Sequence, residues 1–211
     1  MVSGDDMDDK EYWEKYYKKN RNPVDASTFA RFSLGFLEKD KKLIEVGCGN
    51  GRDSVYFATE GLNVLAIDQV EDELNYLNER YSGLENLLFK SADFTNLDDS
   101  EKFDYVYSRF TLHSIPEERE KKVFEWIKNQ LNDDGLFLLE VRSINDPMFN
   151  RGEKISDHEN ITTHYRRYLD IGETIDKIRN IGLEIVYQLE DNDLSVYGDD
   201  NPVLIRIVAR K

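Results

Sequence analysis

The chain is poor in the residues that staple, anchor or bind metal. Cys48 is its single cysteine, so no internal disulfide and no thiolate metal cluster can form. No apolar run approaches the length of a membrane span. The opening Met1-Val2-Ser3-Gly4-Asp5-Asp6 is acidic instead of basic and then apolar, so no signal peptide is expected and the cytoplasm is the expected location. Positive charge is also scarce. Lysine and arginine number 28 against 43 acidic residues, a net charge of −15. Such a field repels phosphate backbones, which argues against a nucleic-acid partner. The 211 residues, 39% hydrophobic and 34% charged, fit one soluble globular domain.

What is present centres on Leu43-Ile44-Glu45-Val46-Gly47-Cys48-Gly49-Asn50-Gly51-Arg52-Asp53. Leu43 to Val46 reads as a short buried strand ended by glycine. Alternating glycines let the backbone turn tightly and approach a ligand. Ser54 to Ala58 reads as the start of a helix whose free N–H groups and positive dipole end face whatever the loop holds. The arrangement is not a dinucleotide fingerprint, because the third position of that pattern is Arg52 or, counted from Gly49, Ser54. No G-K-[ST] follows, so it is not a P-loop either.

Along the chain, residues 1 to 10 are acidic and read as frayed. Tyr12, Trp13, Tyr16 and Tyr17 stand at helical spacing, either as a helix packed on the domain or as a lid. Asn22-Pro23 breaks that helix, and a second spans Ser27 to Leu37. Asn63 to Ile67 is a strand ending at Asp68, where two acceptor oxygens suit ribose hydroxyls or simply face solvent. Glu71 to Tyr81 is a helix, Leu87 to Phe89 a strand, and Ser91-Ala92-Asp93-Phe94 the turn after it. Phe103 to Ser108 is a fourth strand, with Arg109 to Pro116 as its tail. Glu117 to Leu131 is a helix, with Glu117–Lys121 and Glu118–Lys122 as i,i+4 pairs. Leu136 to Val141 is a fifth strand. An irregular insertion runs from 142 to 169. A helix over Asp170 to Ile181 and strands at 183–187 and 203–208 close the chain. Alternating strands and helices predict an α/β fold: a doubly wound, mostly parallel seven-stranded sheet with an antiparallel edge strand.

The acidic-x-G-x-G-x-G stretch resembles motif I of the class I S-adenosylmethionine-dependent methyltransferases, and G-C-G-N-G-R-D-S is close to the tellurite-resistance and thiopurine types. The A-D-F tripeptide and the helix-turn-strand at residues 131–141 are similar to the family's as well. The resemblance implies S-adenosyl-L-methionine as cofactor. Glu45 and the loop amides would manage the methionine end, Asp68 the ribose, and Asp93 with Phe94 the adenine. The expected cofactor contacts are Glu45, Gly47, Cys48, Gly49, Gly51, Asp68, Gln69, Asp93, Phe94, Ser108 and Tyr16. The W-x-x-Y of Trp13 and Tyr16 looks like the family's N-terminal lid. A lid over about 10–38 and a substrate cap over about 142–169 are then expected within one domain spanning 1–211.

The strand-four tail reads S-R-F-T instead of [ND]-P-P-[FYW], which argues against base N-methylation. No acidic cluster stands there and the histidines lack metal spacing, so no metal is expected. His113 is the candidate general base, by its ordinary pKa and its place at the strand-four mouth, with Arg109 beside it; a packed or positioning histidine is the other reading. Arg142, His164, Tyr165, Arg166 and Arg167 are the candidate substrate residues, because arginine forks suit carboxylate and phosphate oxygens. A small anionic acceptor, taken by O- or N-methylation, follows from them, with no membrane partner and a monomer or homodimer. Two other readings stand beside it: a non-catalytic cofactor-binding regulatory subunit, and an NAD-dependent oxidoreductase.

Overall fold

The computed structural model describes residues 10–19, 25–98, 101–162 and 164–211. Most of residues 1–10 and the helix break at Asn22-Pro23 therefore lie outside the described residues. In chain order the elements are α1 (Lys10–Lys19), α2 (Thr28–Ser33), β1 (Lys42–Val46), α3 (Arg52–Thr59), β2 (Asn63–Asp68), α4 (Glu71–Arg80), β3 (Leu87–Ser91), β4 (Phe103–Arg109), α5 (Glu117–Gln130), β5 (Leu131–Arg142), β6 (Glu153–Lys154), β7 (Glu159–Ile161), β8 (Tyr165–Arg167), α6 (Ile171–Asn180), β9 (Glu184–Asp191) and β10 (Leu204–Arg210). A 3-10 turn over Leu34–Phe36 extends α2 and another covers Leu112–Ser114.

The main sheet has seven strands in the order β3-β2-β1-β4-β5-β10-β9. Its first five strands run parallel, and β10 runs antiparallel to both β5 and β9. The antiparallel pair sits at the edge as expected, with β10 slotted inside β9. Strand β1 pairs with β2 on one side and β4 on the other. The order reverses there, and a crevice opens at the carboxyl ends of strands that part in this way.

Alternation along the strands builds two cores. Ile44, Val46, Val106, Phe137 and Ile207 face Val123, Phe124 and Ile127 of α5 and Ile178 of α6. Leu43, Ala66, Tyr107 and Leu138 face Phe29, Phe57, Leu74 and Leu77 of α2 to α4. Each fully buried aliphatic or phenylalanine side chain contributes about 1.5–3 kcal/mol.

Some local expectations yield to tertiary contacts. Lys121 reaches Glu118 at 3.5 Å, while Glu117 leaves its own helix to meet Lys177 at 2.8 Å. Strand β5 begins at Leu131, where a turn is expected over 132–135, and its register with β4 shifts between Phe103 and Tyr105 to absorb the extra residues. The insertion is not wholly irregular: β6, β7 and β8 form a small antiparallel sheet. Strands of two or three residues carry too little alternation to be read from sequence.

Glu140 is fully buried on β5, directly opposite Arg109 on β4 and Arg206 on β10. Arg109 Nε donates to its Oε1 at 2.9 Å and Arg206 Nε to its Oε2 at 2.7 Å. Glu140→Ala would strand both guanidinium groups, at a cost of about 3–5 kcal/mol. Urea unfolding of the variant should show a loss of that size; a loss below about 1 kcal/mol would mean that the arginines re-pair elsewhere.

Candidate functional site

The β1 loop is stitched to β2. Gly47 N and Cys48 N both donate to Ile67 O, at 2.8 and 2.9 Å, and Gly51 N donates to Cys48 O at 3.0 Å. Gly49 N donates to Asp68 Oδ2 at 3.0 Å. The loop amides expected to face a ligand are thus held by the chain itself, and their work is to fix the loop's shape. Gly49 (φ 54°) sits under the Tyr17 ring: a Cβ there would meet the Tyr17 hydroxyl at 2.9 Å. Gly51 (φ 73°) faces inward, where a Cβ would lie 2.7 Å from Phe89. It is a packing glycine at the start of α3 and does not line the crevice, contrary to its expected cofactor contact.

Behind the loop stand three buried acids. Glu45 accepts a short hydrogen bond from Ser54 Oγ. Burial, then the neighbouring Asp53 charge, pushes its pKa well up against the opposing Ser54 bond. Asp53 accepts from Ser27 N and Ser27 Oγ, both at 2.7 Å, and from Tyr107 OH at 2.9 Å. Asp68 also accepts from Val70 N at 3.1 Å, and its pKa rises through burial despite these backbone bonds. Burial likewise pushes up the Cys48 thiol and the Tyr17 phenol.

One crevice of about 1470 Å³ runs over these groups. It brings together Glu45, Gly47, Cys48, Gly49, Asp68, Gln69, Asp93, Phe94, Tyr16, Arg109 and Arg142 of the residues singled out from sequence. Asp93 is exposed and accepts from Thr95 N and Thr95 Oγ1, both at 2.8 Å, closing a tight turn. Tyr16 is 43% exposed. Arg109 lies over the Phe110 ring at 4.2 Å and donates from Nη2 to Ser195 Oγ at 3.0 Å.

Other candidates are placed elsewhere. Ser108 is fully buried within β4 and does not line the crevice. His113 is buried too; its Nδ1 accepts from Arg142 N at 3.4 Å and its ring stacks on Phe110 at 5.3 Å. Burial, then the charges of Arg166 and Arg142, holds its pKa well below the ordinary value. A general base must reach the substrate proton, and His113 backs the wall instead. Arg142 donates to Asp146 Oδ2 at 2.8 Å and pairs closely with Asp200. Arg167 is a buried strut on Glu120, Ile115 O and Leu112 O. Arg166 stands 3.0 Å from His164 Nε2, and Tyr165 OH donates to Glu159 at 2.5 Å. His164, Tyr165, Arg166 and Arg167 do not line the crevice. They hold the insertion and dock α1: Tyr12 and Trp13 pack on His164, with ring centroids 4.6 and 5.3 Å away.

Tyr17 and Asp53 were missed from sequence as site residues. Asp53 stood inside the G-R-D-S stretch, and Tyr17 lay one residue beyond the W-x-x-Y pair. Pattern spacing identifies the helix but does not say which ring the loop meets.

Comparison with known proteins follows the same lines. A family model described as a methyltransferase domain matches residues 37–181. An uncharacterized methyltransferase of Staphylococcus carnosus is 24% identical over 152 residues, covering 68% of this chain and 70% of that protein. The probable S-adenosyl-L-methionine-dependent methyltransferase TehB of Haemophilus influenzae is 29% identical over 100 residues, covering 46% of this chain and 35% of that protein. The chain thus spans only about a third of that second relative's length. Among solved structures, the Burkholderia thailandensis 1,6-didemethyltoxoflavin-N1-methyltransferase, with its substrate and S-adenosylhomocysteine bound, superposes with a TM-score of 0.74 at 20% identity, covering 96% of this chain and 86% of that one.

His164 generates a pH prediction. Burial, then Arg166 and Arg142, pulls its pKa from 6.5 to about 4. As pH falls from 6.5 to 4 the unfolded chain takes up a proton that the folded chain refuses, so stability drops by up to about 3 kcal/mol. Denaturation midpoints at pH 7, 5.5 and 4.5 should converge between wild type and His164→Gln as pH falls; parallel curves would show that His164 titrates normally.

Proposed function

The chain belongs to the class I S-adenosylmethionine-dependent methyltransferases, and from that premise we propose that it methylates a small molecule carrying one oxyanion. The observation that carries the reading is Arg109 at the crevice mouth. Its side chain is 14% exposed, Glu140 and Ser195 hold Nε and Nη2, and Nη1 has no hydrogen bond among the described residues and is not sealed from solvent. The other crevice arginine from the sequence reading, Arg142, is neutralised by two carboxylates. Of these two arginines, Arg109 is the one with a guanidinium nitrogen left for an acceptor, and a guanidinium fork suits a carboxylate or phosphate.

The residues present fit the cofactor. Asp68 is the strand-end acid for the ribose, Asp93 and Phe94 border the adenine position, and Glu45 with Asp53 suits an ammonium or sulfonium charge. The glycine at 49 lets the Tyr17 ring close down on the loop, where any Cβ would meet its hydroxyl at 2.9 Å. When bound, S-adenosylmethionine supplies a methyl group already activated for displacement. The chain's part is to hold the acceptor in line and keep water out. Trp13, Tyr16 and Tyr17 of α1 overhang the crevice and supply that cover.

No histidine lines the crevice among the described residues. An acceptor atom that attacks without first losing a proton suits this wall: a neutral amine, a thiolate or a carboxylate. Such an acceptor makes catalysis a matter of placement instead of proton transfer.

Two measurements test this reading. Arg109→Met should raise KM at least about tenfold for carboxylated or phosphorylated acceptors that the wild type methylates. Its S-adenosylhomocysteine affinity should stay within about twofold; equal loss of both would place Arg109 in the fold instead. A second test uses Glu45. Burial raises its pKa, and a cation beside it would lower it again. Calorimetry of S-adenosylmethionine across a pH series, in buffers of different ionisation enthalpy, should show proton release that Glu45→Gln abolishes. Unchanged heats across buffers would remove Glu45 from the cation's surroundings.

A further inference from the structure

The connection between β9 and β10 is held at both of its ends. Leu194 O accepts from Thr28 Oγ1 at 2.5 Å and Arg206 Nη2 at 3.0 Å. Ser195 Oγ accepts from Arg109, and Asp200 accepts from Arg142. Asp193 and Asn201 close on each other, with Asp193 N donating to Asn201 Oδ1 at 2.8 Å and Asn201 Nδ2 to Asp193 Oδ1 at 2.7 Å. Tyr197 and Asp200 exchange backbone bonds at 2.9 and 3.0 Å, with Gly198 (φ 57°) turning between them. Between these ties Val196 is 56% exposed and Tyr197 85% exposed, and both line the crevice.

A single exposed apolar residue on a surface is ordinary. Here an aromatic and a branched aliphatic stand together on a tethered turn at the mouth of the crevice, and the same Arg109 that borders the crevice ties the turn down. A second observation comes from Phe110. It holds φ 57°, a left-handed backbone that bulky side chains rarely adopt. Glu140 O accepts from its N–H at 2.9 Å, and its carbonyl accepts from Ser114 Oγ at 3.3 Å. His113 stacks on the ring from behind at 5.3 Å, and Phe110 also lines the crevice. Backbone strain of this kind persists only where its surroundings enforce it. Its consequence here is a second aromatic ring held in the same crevice as Tyr197.

We infer that Phe110 and the Ser195–Asp200 turn form an aromatic acceptor slot: the acceptor is a flat ring bearing one oxyanion, set against Tyr197 and Val196 with its charge on Arg109. This rests on the acceptor mouth proposed above and adds the ring. Aromatic faces give a planar ligand contact area beyond what an aliphatic chain of similar size obtains. The tethers keep the turn ordered before binding, which lowers the entropy lost when the ligand arrives. Val196 and Tyr197 thereby become the specificity-determining pair, while the chemistry stays at the β4 mouth.

The test uses 2-naphthoate and hexanoate as probes, titrated into the full chain saturated with S-adenosylhomocysteine. The wild-type complex should bind 2-naphthoate at least about fivefold tighter than hexanoate. Tyr197→Ala, an exposed site whose truncation leaves the core untouched, should erase that preference and leave hexanoate affinity within about twofold. Arg109→Met should weaken both anions. The slot is overturned if the wild type shows no preference for the naphthoate, or if Tyr197→Ala keeps it. Failure of S-adenosylhomocysteine itself to bind the wild type would instead remove the methyltransferase reading beneath the slot.

Discussion

A carboxylate sealed from water must be paired on every side or it neutralises. Glu140 meets that demand with Arg109 on one neighbouring strand and Arg206 on the other. The pairing does more than settle a charge. Arg206 goes on to Thr28 Oγ1 at 2.9 Å and to Leu194 O, and Arg109 goes on to Ser195. One buried acid therefore links β4, β5, β10, the start of α2 and the β9–β10 connection. Arg109 in the crevice lining thereby takes its direction from a buried carboxylate within the sheet. Such an arrangement is a poor source of net stability, because desolvating three charges offsets most of their attraction. Its value lies in fixing which way Arg109 points.

Most of the sheet was legible because burial writes itself into alternation. L-I-E-V, N-V-L-A-I and L-F-L-L-E-V announce strands whether or not their partners are known. The mostly parallel, doubly wound class followed from the alternation of strand and helix. The slotting of β10 inside β9 was not legible, since both are apolar runs of similar length and hairpin length alone leaves their order open. The β6–β8 sheet was hidden for a different reason: it is held by Asn160 and Arg167 contacts to other segments, not by a pattern of its own.

The site divides in the same way. The glycine loop, Asp68 and Asp93 could be placed from local sequence because the backbone geometry they serve is local. The arginines could not. Arg142 and Arg167 looked available in a sequence of scattered charges, yet their partners Asp200 and Glu120 lie 58 and 47 residues away. A charge is free or spent only in three dimensions. His113 failed as a base on the same ground: its segment reaches the mouth, but the ring turns back under Phe110 to take the Arg142 N–H.

The two ends of the crevice then have opposite electrostatics. At the loop end Glu45, Asp53 and Asp68 are satisfied mainly by hydroxyl and amide donors, with Arg52 3.7 Å from Asp53 and the Arg52 and Arg109 charges both opposing the rise in the Glu45 pKa. These acids are only partly paired, so an ammonium or sulfonium placed beside them would supply what the chain withholds. At the mouth the balance is reversed, with Arg109 retaining a solvent-reached nitrogen. On the proposed reading, a cationic donor and an anionic acceptor would favour different groups lining one cleft. Glu45, Asp53 and Asp68 would hold a positively charged sulfonium more firmly than the neutral thioether that transfer leaves behind, so the same polarity would favour product release.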